Sequence, residues 1–140
     1  MMKHILWLIL FCFISNLHSQ SILGKWKTID DETGEEKSIV NIYMKDGKYF
    51  GDIVELINPK QSNPLCDVCK GENKDKPVLG MTIIKDMELS DDVYESGTIL
   101  NPSNGKVYKC QLKLEENNNL LQVRGYVAFF YKTQYWKRVN

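Results

Sequence analysis

Histidine is almost missing from this 140-residue chain. There are two, His4 and His18, and both fall in an N-terminal stretch that reads as a leader. Beyond that stretch there is none. That removes Ser-His-Asp and Cys-His nucleophilic catalysis, the usual imidazole general base and the commonest metal ligand. An excess of one charge is lacking too: 18 Lys and Arg balance 18 Asp and Glu, and loss of Lys3 with the leader leaves a net charge of −1. Without a basic stripe there is no electrostatic reason to expect nucleic acid or an anionic membrane surface as partner. No glycine-rich phosphate loop, HExxH or EF-hand pattern is present, and Asp91-Asp92 has no further ligands at calcium-loop spacing.

Long apolar runs are scarce as well. The one at the start, Ile5 to Ile14, follows Met1-Met2-Lys3-His4 and precedes the small and polar residues of Asn16 to Ser21. A positive start, an apolar stretch of about ten residues and a polar cleavage region make a secretory signal peptide. The run is too short for a hydrocarbon core, which needs about 20 residues. A buried core helix is the rival reading. Cleavage is expected after Ser19, giving residues 1–19 as leader and 20–140 as one domain that starts at Gln20. Cys12 is a member of the apolar stretch. It is not a lipidation site, because Phe11 precedes it where a small residue is required. No second run of spanning length follows, so no membrane span is expected in the exported chain.

What is present is alternation. Apolar and polar residues exchange with period two over short segments cut by turn residues, the mark of antiparallel strands. The segments are Ile22–Asp30, Lys37–Lys45, Lys48–Ile57, Val78–Ile84, Val93–Leu100, Lys106–Leu114, Leu120–Phe129 and Tyr131–Val139. Asp46-Gly47 between two of them is a hairpin signal, because both central residues of such a turn need positive φ. Lys85 to Asp92 suggests at most a helical turn. Residues 58–77 carry Pro59, Pro64, Gly71 and Pro77 and form a loop long enough to be functional. The expected fold is all-β: an up-and-down barrel of about eight strands, with an open sandwich as the alternative.

Gly24-Lys25-Trp26 in the first strand and Trp136-Lys137-Arg138 in the last resemble the closure signature of lipocalin-type barrels. There the end strands pair and the basic side chain packs on the indole, which is worth about 0.5–2 kcal/mol. The chain as a whole resembles an uncharacterised family of small exported bacterial proteins, a domain-of-unknown-function family. The blocks that carry it include Gly24 to Asp31, Cys66-x-x-Cys69, Lys76-Pro77-Val78-Leu79-Gly80, Val123-Arg124-Gly125-Tyr126 and Thr133-Gln134-x-Trp136-x-Arg138. Asn101 stands where that family's pattern has Asp. The resemblance implies an exported barrel and supplies no activity.

Three cysteines follow the leader. Cys66 and Cys69 are expected to staple the loop by a disulfide, with Cys110 as a small buried hydrophobe. Alternatives are pairing of Cys110 with a loop thiol, redox chemistry and zinc. Redox chemistry lacks a helix N-terminus to lower a thiol pKa, and zinc lacks a fourth ligand. No catalytic residue, metal ligand or cofactor is assigned. Asp30, Asp31, Glu32, Asp52 and Glu55 are carboxylates without a motif.

Arg124, Tyr126, Trp136 and Tyr108 are the candidate ligand contacts, and Gly24, Trp26 and Arg138 the closure set. If Val123 faces the core, Arg124 faces solvent or a partner; in the reverse register it is a buried charge in need of an anion. The expected function is non-enzymatic. A small or apolar ligand in the barrel interior is the first reading. The second is a filled barrel that meets an envelope partner through the 58–77 loop. An enzyme of unrecognised type is the third.

Overall fold

The computed structural model describes residues 21–140. The expected leader lies outside them. Eight strands follow in order: β1 Gly24–Ile29, β2 Glu36–Lys45, β3 Lys48–Leu56, β4 Thr82–Ser90, β5 Val93–Asn101, β6 Lys106–Leu114, β7 Leu120–Val127 and β8 Phe130–Arg138. Each pairs antiparallel with the next, and β1 pairs with β8 to close the barrel. Closure leaves no sheet edge exposed to other chains.

The expected strands are present, with one correction. The fourth strand is β4, Thr82–Ser90, not Val78–Ile84, and Lys85 to Asp92 forms no helical turn. A bulge is the cause. Asp86 has φ 58°, and Tyr49 and Gly51 of β3 pair with Met87 and Ile84. One residue of β3, Phe50, thus faces two of β4, Lys85 and Asp86, and the buried side chains Ile84 and Met87 stand three apart. In a bare sequence that spacing reads as one face of a helix. The hairpin at Asp46-Gly47 has φ of 52° and 77°, as its residues require.

Alternation sorts the side chains to two faces. Val40, Ile42, Gly51, Ile53, Ile84, Cys110, Leu112, Leu121, Val123 and Trp136 line the inside, and all but the glycine belong to the buried core. Trp26, Tyr49, Tyr94 and Met87 fill the end where the 45–48 and 90–93 turns lie. Tyr49 and Tyr94 meet edge to face with centroids 4.8 Å apart. Ile22, fully buried, caps that end, and the Trp26 indole N–H donates to its carbonyl at 2.8 Å. Toward the opposite end, Thr28 and Ser38 are buried as a hydrogen-bonded pair at 2.8 Å, which meets the rule that buried polar atoms find partners.

The long connection from β3 to β4 is no free loop. It carries one 3₁₀ turn, Gly71–Asn73, and a bridge between Leu65 and Pro77. Ile83 and Leu100 point out of the barrel by the same alternation, yet both are buried. The connection covers that stretch of the wall, and Cys66 and Cys69 are buried with it.

Candidate functional site

The closure residues meet at the capped end. The Arg138 guanidinium stacks on the Trp26 ring, 4.3 Å from its centroid. It also donates to the carbonyls of Asn118 at 2.8 Å, Leu23 at 3.1 Å and Ser21 at 2.8 Å. One side chain thus ties the segment 21–23, the β6–β7 turn and the last strand together. Gly24 sits beside it with φ 117°, a conformation that a Cβ makes costly.

The four candidate ligand contacts do not all converge: Tyr108 and Tyr126 line one cleft of about 480 Å³ at the barrel rim, and Arg124 and Trp136 are not part of it. Val123 is buried inside, so Arg124 and Tyr126 point out of the barrel. Arg124 stacks on Tyr131 at 4.5 Å from the ring centroid and donates to the Thr133 hydroxyl at 3.1 Å. The Tyr126 hydroxyl donates to Gln111 Oε1 at 3.0 Å. Trp136 points inward and is buried, with its indole N–H donating to Gln134 Oε1 at 3.0 Å. Tyr108 faces inward over Gly125, where a Cβ would stand 3.4 Å from the tyrosine's own. The absent side chain of Gly125 is therefore replaced by the tyrosine.

The cysteines behave as expected. Cys66 and Cys69 form a disulfide, and Cys110 is a buried free thiol. Burial pushes the Cys110 thiol up to about 12, which leaves it without reactive thiolate near neutral pH. The disulfide segment is docked on the β5–β6 turn. Cys66 Sγ lies 3.5 Å from the Pro102 carbonyl. At Gly105, φ 71°, a Cβ would come within 1.9 Å of the Val68 carbonyl oxygen. Only glycine admits that approach.

A cleft of about 550 Å³ lies where this docked connection faces the outer wall of β2, β3 and β4. Sequence reasoning missed it. Its wall carries Tyr43 and Phe50, stacked with centroids 6.0 Å apart. Three lysines line it: Lys45 from β2, Lys76 from the connection and Lys85 from β4. Glu72 pairs with Lys85 at 3.3 Å. Among the described residues neither Lys45 nor Lys76 has an ion-pair partner within 4 Å.

Beneath the aromatic pair, Asp52 accepts from the Tyr43 hydroxyl at 3.0 Å and from the Thr82 hydroxyl at 2.7 Å. Burial, and then the Asp52 carboxylate, raise the Tyr43 phenol above its ordinary value. Tyr43 thus stays protonated and donating. The only sequence signal for this cleft was the pair of outward aromatics on β2 and β3.

Among the described residues no group of three or more His, Cys, Asp or Glu is placed to hold a metal ion. No described helix is long and apolar enough to cross a membrane.

No curated protein matches the sequence. Among solved structures, the Helicobacter pylori protein HP1028, described as belonging to the lipocalin family, superposes with a TM-score of 0.74. It is 17% identical over 86% of this chain and 84% of its own. At that identity the likeness establishes the fold, a lipocalin-like barrel. Residues 24–138 match the model of a bacterial family, and the chain belongs to it: DUF2147, the uncharacterized proteins conserved in bacteria.

Proposed function

We propose that this is an exported, non-enzymatic binding protein that holds a small anionic molecule with an apolar body in the cleft between the 57–81 connection and the barrel wall. The observation that carries the reading is the meeting of three lysines and a stacked Tyr43–Phe50 pair in one cleft. Its volume falls in the range of small-molecule sites, about 300–1,000 Å³. The aromatic pair offers an apolar floor, and Lys45 and Lys76 offer charge that no ion pair takes up, while Glu72 is held by Lys85. The connection is already docked on the β5–β6 turn and stapled by its disulfide, so little conformational freedom is lost on binding. Meanwhile Trp26, Trp136, Tyr49 and Tyr94 fill much of the interior. Export is supported by that disulfide, which persists in oxidising compartments, and by the leader-like start of the sequence.

A second reading keeps the ligand at the open end of the barrel. There Tyr108 and Ile99 face inward, are partnered across β5 and β6, and are only half-buried. Titration with anilinonaphthalene sulfonate, an anionic aromatic probe, separates the two. Under the cleft reading its fluorescence enhancement is saturable, and Lys45→Ala with Lys76→Ala weakens it about tenfold. Undiminished binding in that double variant would overturn the cleft. Loss in Tyr108→Ala instead would move the site to the open end.

A further inference from the structure

The hairpin joining β7 to β8 ends in the sequence Val127-Ala128-Phe129-Phe130-Tyr131. Phe129 is 99% exposed, Phe130 77% and Tyr131 57%, and Val127 and Val107 beside them are more than half exposed. Val127 pairs with Phe130 and Tyr126 with Tyr131. The tip is therefore a paired ladder that projects its side chains at a fixed angle, with Ala128 turning the chain at φ 50°. Exposed phenylalanines in succession are what soluble surfaces avoid, unless the patch has an occupant.

We propose that this tip inserts into the interfacial layer of a lipid bilayer and holds the barrel against a membrane. Shape argues for lipid over a protein partner. Phe130 and Tyr131 are consecutive in β8, so they point to opposite faces of the ribbon. With Phe129 at the turn, the apolar surface surrounds the tip and forms no single face of the kind that a protein partner covers. A bilayer needs no complementary shape and takes up apolar side chains one by one.

The residues below the tip suit the boundary between lipid and water. Tyr131 packs against Tyr126, centroids 5.9 Å apart, and beneath Arg124 at 4.5 Å. That makes a belt of amphipathic rings and a cation of the kind that sits at headgroup level. Glu32 pairs with Lys132, which follows Tyr131 in sequence, at 3.6 Å, so that lysine is offset. The attraction rests on apolar and aromatic contact and not on charge.

The test is flotation with zwitterionic phosphatidylcholine vesicles. It uses the form beginning at Gln20, whose closed barrel contains its own core and lacks the apolar leader. Flotation that persists in 0.5 M salt (a concentration at which charge attraction is largely screened) and falls at least tenfold in Phe129→Ser with Phe130→Ser is the expected result. Both side chains are exposed, so the variant should keep the parent's urea midpoint, which separates loss of docking from loss of fold. Three results would each overturn the proposal. One is no flotation of the parent form. Another is binding to anionic vesicles alone that salt abolishes. The third is a concentration-dependent dimer, seen by ultracentrifugation, that the double variant dissolves; that would assign the tip to a second copy of the chain.

Discussion

Arg138 contributes to the fold through four contacts from one planar group: the face of Trp26 and the carbonyls of Ser21, Leu23 and Asn118. A lysine has one point of charge and no flat face, so it cannot make the stack and the fork together. Arg138→Ala should lower unfolding free energy by roughly 2–3 kcal/mol, from a cation–π contact and partly buried charge-assisted hydrogen bonds. Arg138→Lys should recover only a minor part. Urea denaturation reads this as a lower midpoint at an unchanged slope. A loss below about 0.5 kcal/mol would mean that the β1–β8 pairing holds without the lock. Gly-x-Trp with a terminal arginine was legible in the sequence because it is a pattern of residue types. The orientation of Arg124 was not, because alternation gives two faces and does not say which of them is inside.

The strands were legible because each keeps its period within a single segment. β6 alternates without interruption, and its buried members Cys110 and Leu112 stand where the pattern puts them. β4 was displaced because its bulge lies in the backbone, and residues such as Lys85-Asp86 give no local sign of one. The cleft was illegible for a different reason. Its lysines lie at positions 45, 76 and 85, and they become neighbours only when the connection docks on the wall.

That docking has two supports, the disulfide and the close approach at Gly105, and they differ in reach. A disulfide three residues apart closes a short loop. In the chain-entropy model a loop of four residues is worth roughly 2 kcal/mol. Cys66→Ser with Cys69→Ser should therefore cost about that much or less and leave the barrel folded. Its main effect should be on the connection, as faster proteolysis between residues 58 and 80 with the barrel fragment intact. Global unfolding of this variant at room temperature would show instead that the covered face, with Ile83 and Leu100 under it, is part of the main core.

A closed barrel is as cooperative as its weakest seam. β7 and β8 are aligned over eight residue pairs, and β2 and β3 likewise, whereas β1 and β8 are aligned over two, Trp26 with Arg138 and Lys27 with Lys137. The hydrogen bond from the Val139 amide to the Lys25 carbonyl at 2.9 Å extends that seam by one contact. Local opening starts where few backbone bonds and little apolar area are lost, and that is here. Native-state hydrogen exchange should find the Val139 amide exchanging through a local opening, at a rate nearly independent of low denaturant. Amides of Leu112 and Val123, between the long seams and fully inside, should exchange only through global unfolding. Arg138→Ala removes the clamp that bridges the seam, and local opening and global unfolding both break its contacts, so Val139 and Leu112 exchange should each speed by about 30- to 150-fold, the factor that a loss of roughly 2–3 kcal/mol corresponds to. Equal protection at Val139 and Leu112 would mean that the barrel opens as one unit and that the short seam is sealed by Ile22 and Trp26 beneath it.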